Sequence, residues 1–257
     1  MHWRKSKIAV SRRGGMAVMK KYGGPGTPEG RSKGGKRGMQ VLRERRLIPQ
    51  PKPFFAPQGH SAELAEFVGI LLGDGYIGKG QWSITLNAKA DKTYAKFVYE
   101  LTQRLFHFKP AKYIRHDCHV IVISGSGVRS IQYFISLGLK IGNKVKQQVD
   151  VPKWIEENLS HSLSCLRGLV DTDGGIFTHT YRVNGKMYSY RKLAFVNRSM
   201  PLLQFASNTL KSLGFTPKII NKVANKRVWL YNQQEVKRYL EVVGSHNPRV
   251  FHEGGVR

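Results

Sequence analysis

Glu63-Leu-Ala-Glu-Phe-Val-Gly-Ile-Leu-Leu-Gly-Asp74-Gly75-Tyr76-Ile77 and Ser164-Cys-Leu-Arg-Gly-Leu-Val-Asp-Thr-Asp173-Gly174-Gly175-Ile176 are two versions of one pattern. Each reads as an apolar helix that ends in an acid followed by glycine. Gly75 and Gly174 suit the left-handed position just past a helix end, where a side chain would clash. Asp74 and Asp173 then sit at helix C-termini, where exposed carbonyls and the negative end of the dipole favour a cation. Small residues four apart, Gly69 with Gly73 and Gly168 with Thr172, leave one face of each helix nearly flat. Two such helices are expected to pack backbone to backbone and to bring Asp74 and Asp173 together. Like carboxylates cannot share a dry interface unless a proton or a metal lies between them.

The residues after each copy repeat as well. After the first come strand patterns at Tyr76-Ile77 and Trp82 to Asn87, a helix over Lys92 to Phe106, strands at Lys112 to Arg115 and His119 to Ser124, and a helix over Val128 to Leu137. After the second, Leu163 to Asp173, come strands at Ile176 to Arg182 and Tyr188 to Asn197, then a helix over Met200 to Leu213. Strands at Lys218 to Asn221 and Arg227 to Tyr231 and a helix over Gln234 to Val243 complete the copy. Phe108-Lys-Pro110 and Phe215-Thr-Pro217 mark the same corner in both, and the longer second copy carries its extra residues in the Tyr181 to Tyr190 hairpin. The fold class is therefore α+β: two pseudo-symmetric αββαββα half-domains, residues 61–150 and 151–257, forming an antiparallel β saddle. Residues 1–60 are a basic, Gly-rich N-terminal extension closed by the stiff Pro49-Gln-Pro-Lys-Pro53 linker. Within it only Met16 to Tyr22 and Met39 to Arg46 read as helical, and the segment is expected to be mobile alone and to order on phosphates.

At the repeated stretches the chain resembles a single-chain, two-motif LAGLIDADG homing endonuclease. Phe67-Val-Gly-Ile-Leu-Leu-Gly-Asp-Gly75 and Leu166-Arg-Gly-Leu-Val-Asp-Thr-Asp-Gly174 are similar to its two signature motifs, and the likeness covers about residues 61 to 252. The first copy has Leu72 where the motif's earlier acid usually stands; that acid is structural in the family. The resemblance implies a metal site at Asp74 and Asp173 with Gly73 and Thr172 beside them, holding Mg²⁺ or another divalent cation such as Mn²⁺. It also implies a basic residue after each half's last helix: Lys144, with Lys146 second, and Arg249 as the counterpart, where lysine would be usual. Arginine stabilises phosphate charge but hardly accepts a proton. Asn87 and Asn197 stand at matched strand ends, suited either to orienting water or to capping turns.

The 43 lysines and arginines against 16 acids give a formal charge of +27, a surface for polyanions that alone would also suit an RNA-binding module. One sheet face is read as buried at Ile84, Leu86, Val120 and Val122. The other is read as the DNA-binding face, carrying Tyr76, Trp82, Thr85, Lys112, Arg115 and His119 in the first half. In the second half it carries Arg182, Tyr190, Arg191, Lys192, Lys218, Lys222 and Arg227, with Tyr113 and Tyr181 interleaved. Cys118 and Cys165 lack metal-ligand spacing and read as reduced, buried thiols. No phosphate-binding loop, zinc cluster or Ser-His-Asp set competes, no apolar run suits a membrane, and the basic N-terminal stretch lacks an apolar signal-peptide core. The ends lack the residues of a self-splicing element.

The reading is a monomeric, metal-dependent double-strand DNA endonuclease with a long asymmetric target, intron-encoded or free-standing. Its place is the cytoplasm, with the nucleoid, or an organellar matrix; it is not secreted. The alternatives are an intron maturase that binds RNA on the same scaffold, and a non-cleaving DNA-binding regulator, disfavoured because both acids are present.

Overall fold

A computed structural model describes residues 16–21, 27–45, 47, 54–222 and 225–250. The chain divides into two compact units, Met1–Lys52 and Pro53–Arg257. The Pro49–Pro53 linker lies outside the described residues.

In the first unit, residues 16–21 (α1) are helical, and a single helix α2 spans Pro28–Glu44 instead of the short piece expected over 39–46. Four glycines weaken it, each costing about 1 kcal/mol against alanine. Its start is nonetheless well made. Thr27 is the N-cap, its Oγ1 accepting from Gly30 N at 3.1 Å; proline opens the first turn and Glu29 faces the positive end of the dipole.

The second unit runs α3 (Ala62–Gly73), β1 (Gly75–Ile77), β2 (Gln81–Asn87), α4 (Lys92–Phe106), β3 (Ala111–Arg115), β4 (Val120–Ser126) and α5 (Val128–Ser136). It continues through the short α6 (Lys153–Glu156) into α7 (Leu159–Asp173), β5 (Gly174–Val183), β6 (Lys186–Val196), α8 (Met200–Ser212), β7 (Lys218–Lys222), β8 (Asn225–Leu230) and α9 (Gln233–Val242). A 3₁₀ turn, Pro248–Val250, follows. Each half supplies one antiparallel four-stranded sheet, as expected, and both sheets run in the order first, second, fourth, third strand. Ser61 caps α3 as expected, its Oγ accepting from Leu64 N at 3.1 Å.

The two motif helices, α3 and α7, form the centre. A Cβ at Gly69 would overlap the carbonyl oxygen of Cys165 and stand 3.1 Å from its carbon; one at Gly168 would overlap the carbonyl oxygen of Glu66 and stand 3.0 Å from Ile70 N. The helices therefore touch backbone to backbone. Gly75 and Gly174 do not take the expected left-handed conformation: Gly174 is extended at φ −118°, and Gly75 is not among the positive-φ residues. Space explains them instead. A Cβ at Gly75 would lie 2.5 Å from Leu71 Cα, and one at Gly174 2.7 Å from Val170 O, because each strand folds straight back over its helix.

The strand registers set the faces. Ile84 pairs with Ile123 and Leu86 with Ile121, so Ile121 and Ile123 face the helices; Val120 and Val122 share the opposite face with Asn87 and Thr85, where Val122 is nonetheless buried and Val120 half-buried. The expected β4 register is thus off by one, because Val120 to Ile123 is an unbroken β-branched run without alternation. β5 and β6 pair over ten residues, Gly174↔Phe195 to Val183↔Lys186, whereas β1 and β2 pair over three. Asn184 and Gly185, both at positive φ (48° and 79°), close the longer hairpin in the tight turn such a sequence favours. Cys165 is buried as expected, but Cys118, in the turn between β3 and β4, is exposed.

Candidate active site at the crossing of the motif helices

The crossing carries Asp74 and Asp173 to one place. The Asp173 carboxylate lies 3.4 Å from where a Cβ on Gly73 would stand. Burial, then the charge of Asp173, raises the Asp74 carboxyl from 3.8 to about 7. Burial raises Asp173 to about 6 against the opposing pull of Lys144, of the Asn197 hydrogen bond and of Arg249. Two acids so desolvated call for a proton or a cation between them. A cleft of about 200 Å³ opens beside them, lined by Gly73, Lys144, Asp173, Asn197, Arg198 and Ser199 among others.

Two cations cap the helices on which the acids stand. Lys144 donates from Nζ to the carbonyls of Leu71 (3.2 Å), Leu72 (2.8 Å) and Gly73. Burial lowers its pKa, opposed by Asp173 and Asp74. Lys146, the second choice, is exposed and makes no such contact. Arg249 stands at the matching end of α7, its Nη2 donating to the carbonyls of Asp171 and Thr172, both at 3.2 Å. The carbonyls of Gly73 and Thr172, expected beside a metal, are therefore each met by a basic side chain.

The asparagines part company. Asn197 Nδ2 donates to Asp173 Oδ2 at 2.9 Å, while its Oδ1 accepts from Ser199 N. Asn87 only closes a turn, its Oδ1 accepting from Lys89 N and Ala90 N.

Sequence reasoning missed a buried polar clasp formed by the segment after α9. Asp171 accepts from Ser245 Oγ and from His246 N (2.8 Å), and its burial raises it to about 7. Glu66 accepts from Arg167 Nη2 (2.7 Å) and faces His246 Nδ1 (2.6 Å); burial pushes its pKa up, but these hydrogen bonds outweigh it and leave it lowered. Asn247, fully buried, donates from Nδ2 both to Asp91 Oδ1 and to the carbonyl of Asp171, each at 2.9 Å. Glu66, Asp171 and His246 hold ligand-type atoms within 4.8 Å of one another. Each is already satisfied within the protein, and Arg167 supplies positive charge, so this group ties the tail down. The signal available in the sequence was Ser245-His-Asn-Pro-Arg249, a cluster of polar, turn-forming residues where an exposed end would not need them.

The outward sheet faces differ from expectation at four positions. Trp82 is fully buried; it pairs with Gly125, on which a Cβ would meet the indole at 2.6 Å. Lys112 pairs with Ile123 and lies on the helix side, its Nζ 5.6 Å from the ring of Tyr99 in α4. Arg182 and Arg191 alternate with Tyr181 and Tyr190 and fall on the opposite face of the β5–β6 ribbon, the face that continues Leu193 and Phe195. Tyr76, Thr85, Arg115 and Tyr113 do share the outward face of the first sheet; Arg115 pairs with Asp117 at 2.7 Å. His119 lies in the turn before β4 at φ 52°. Tyr190, Lys192, Lys218, Lys222 and Arg227 share the outward face of the second sheet. There they surround aromatics that the sequence reading passed over: Lys192 and Lys218 stand over Tyr231 (5.4 and 5.9 Å), Arg227 over Trp229 (5.4 Å), and Trp229 stacks on Tyr231. Strict alternation through Arg227-Val-Trp229-Leu-Tyr231 would have found them.

Residues 160–253 match the family model of the LAGLIDADG-like domain. The chain is 25% identical over 210 residues to the replication factor C small subunit of Methanocaldococcus jannaschii, a match that covers 76% of this chain and 11% of that protein. The chain thus spans about a tenth of the length of that curated relative. Among solved structures it resembles full-length DUF199/WhiA from Thermatoga maritima, with a TM-score of 0.50, 16% identity and coverage of 74% of this chain and 57% of that one. It also resembles the homing endonuclease I-DmoI in complex with DNA and Mn, with a TM-score of 0.48, 15% identity and coverage of 71% and 96%. The family-model match covers only the second half of the chain, while the two sheets and crossed helices of both halves have the LAGLIDADG fold. That fold is shared by WhiA-like proteins. Among the described residues no helix is long and apolar enough to cross a membrane.

Proposed function

We propose that this protein is a divalent-metal-dependent endonuclease that cuts both strands of a long, asymmetric duplex DNA site, acting as a monomer. Its halves are residues 61–150 and 151–257, behind a basic extension over residues 1–60. The observation that carries the reading is the meeting of Asp74 and Asp173, one from each half, in a buried crossing flanked by Lys144 and Arg249.

The donor set fits Mg²⁺ or Mn²⁺: two carboxylates raised by burial, hard oxygen ligands of the kind such cations take. Asp74 and Asp173 would hold the cation, which supplies charge neutralisation at the phosphate and a more acidic bound water. The chain's own residues do the rest. Asn197 fixes the Asp173 carboxylate, and Lys144 and Arg249 place positive charge where the phosphate gains negative charge. Tyr190, Lys192, Lys218, Lys222, Arg227, Trp229 and Tyr231 give one sheet a cationic and aromatic face for a nucleic-acid backbone and bases.

One observation favours a second reading, a DNA-binding protein that does not cut: the Gly73 and Thr172 carbonyls are occupied by cationic side chains. The maturase alternative has no such support. The discriminating experiment uses Asp74→Asn and Asp173→Asn on plasmid carrying the DNA that flanks the gene's own insertion site. The parent should linearise it in Mg²⁺, each variant should nick slowly or not at all, and both should still shift the DNA in Ca²⁺. Parental cutting by both variants would sink the catalytic assignment, and a parent that binds without cutting would establish the regulator.

A further inference from the structure

We propose that Asp91, a residue of the first half, is a positioning residue for the second cleavage centre. It clamps Arg249 against the end of α7 and so makes the cutting of the two strands inequivalent, a proposal that rests on the endonuclease reading.

The geometry is asymmetric where the repeat is symmetric. Lys144 and Arg249 occupy matching places at the ends of α3 and α7. Lys144 is held by three backbone carbonyls, and no carboxylate lies within ion-pair distance of it among the described residues. Arg249 is held differently. Its Nε donates to Asp91 Oδ1 at 2.9 Å, and its backbone N–H to Asn247 Oδ1 at 3.0 Å. Asp91 is itself only 5% exposed and fully engaged: Oδ1 also accepts from Asn247 Nδ2, and Oδ2 accepts from Asn87 N at 3.1 Å.

Asp91 is the N-cap of α4, and the matching N-cap of α8 is Ser199. Ser199 also grips the other half's tail, its Oγ donating to the Val149 carbonyl at 2.6 Å, but it brings no charge to Lys144. Each half thus holds the other's tail, yet only the first half reaches across with an anion onto a cation of the site. A guanidinium fixed at Nε by a carboxylate presents its remaining N–H groups in one plane, here to the carbonyls next to Asp173. Losing that clamp should free Arg249 to rotate, while Lys144, seated by backbone, stays put. The strand served by Asp173 therefore depends on an ion pair between halves, and the strand served by Asp74 does not.

The test follows each strand separately on an end-labelled duplex, for the parent, Asp91→Asn, Arg249→Lys and the double variant. Arg249→Lys keeps the charge but loses the Nε contact. The expected result for Asp91→Asn is a loss of about tenfold on one strand, with the other within about twofold, so that nicked product accumulates. In the Arg249→Lys background the same change should add little. A purely structural weakening would slow both strands together, and that outcome, or an unchanged strand ratio, overturns the proposal. Melting of the same four proteins without metal or DNA provides a readout independent of cutting. The double variant should melt higher than the sum of the single losses; additive losses would show that Asp91 and Arg249 do not act as a pair. A parent that cuts neither strand removes the endonuclease reading, and the melting series still decides whether the clamp exists.

Discussion

Replacing Gly69 or Gly168 by alanine tests the feature on which the site depends, the backbone contact between α3 and α7. In each case the new Cβ overlaps a carbonyl oxygen of the facing helix, of Cys165 or of Glu66, and stands at 3.1 or 3.0 Å from further backbone atoms. Neither neighbour is a side chain that can swing aside, so the helices must part by about 1 Å, which puts the cost near the top of the roughly 1–3 kcal/mol typical of overpacking. Alanine returns about 1 kcal/mol through its better helix propensity. The net loss is about 2 kcal/mol, which for a unit of this size lowers the melting temperature by about 4–8 °C. Gly80→Ala is the control, because nothing lies within 4 Å of its Cβ and its φ is not positive. Thermal unfolding followed by circular dichroism in metal-free buffer measures all three. If Gly69→Ala and Gly168→Ala melt with Gly80→Ala, the helices do not meet as described, and the pairing of Asp74 with Asp173 loses its foundation.

Two further outcomes are expected. Because Asp74 and Asp173 are raised from 3.8 to about 7 and about 6, the folded state binds their protons more tightly than the unfolded chain does. The stability they contribute is complete below about pH 3.8 and is lost as the pH rises through 6 and 7. The metal-free protein should thus melt lower at pH 8 than at pH 5, with Asp74→Asn and Asp173→Asn each flattening part of the slope and Asp171 keeping the rest; an identical slope in the variants would refute the shared burial. Asn197→Ala, which frees the Asp173 carboxylate, should reduce cutting at least tenfold, whereas Asn87→Ala should cost only about 1 kcal/mol of stability as a lost turn hydrogen bond, a contrast read by parallel cleavage and melting assays.

The architecture was legible because it rests on period and on size. Small residues four apart marked the helix contact, and repeated strand patterns gave the four strands of each sheet in chain order. Legibility failed where either signal was absent. Val120 to Ile123 has no alternation, so its register slipped by one. Trp82 and Lys112 were assigned outward by residue type, although alternation from Ile84 placed Trp82 inward, and only pairing with Ile123 placed Lys112 on the helix side. Gly75 and Gly174 were read correctly as obligatory but for the wrong reason: crowding by the helix behind them, not a left-handed backbone, excludes a side chain. The helix over 28–44 was obscured because propensity counts four glycines against it and weighs a good N-cap little.

The deeper difference between the halves lies in how each tail is seated, and Leu72 and Asp171 explain it. They occupy the same motif position. Leu72 is buried and lines one small pocket with Ile77, Leu139 and Val149, so apolar contact joins the Lys144 and Ser199 hydrogen bonds in seating the first tail. Asp171 instead gathers Ser245 Oγ and His246 N, so the second tail is held by hydrogen bonds inside a buried site. Either solution delivers a cation, Lys144 or Arg249, to the helix end beside it. The polar solution requires every buried group to be matched, and Glu66, Arg167, Asn247 and Asp91 meet that demand. An acid at position 72 would find none of those partners. The leucine is therefore matched to the apolar pocket against which its own tail packs.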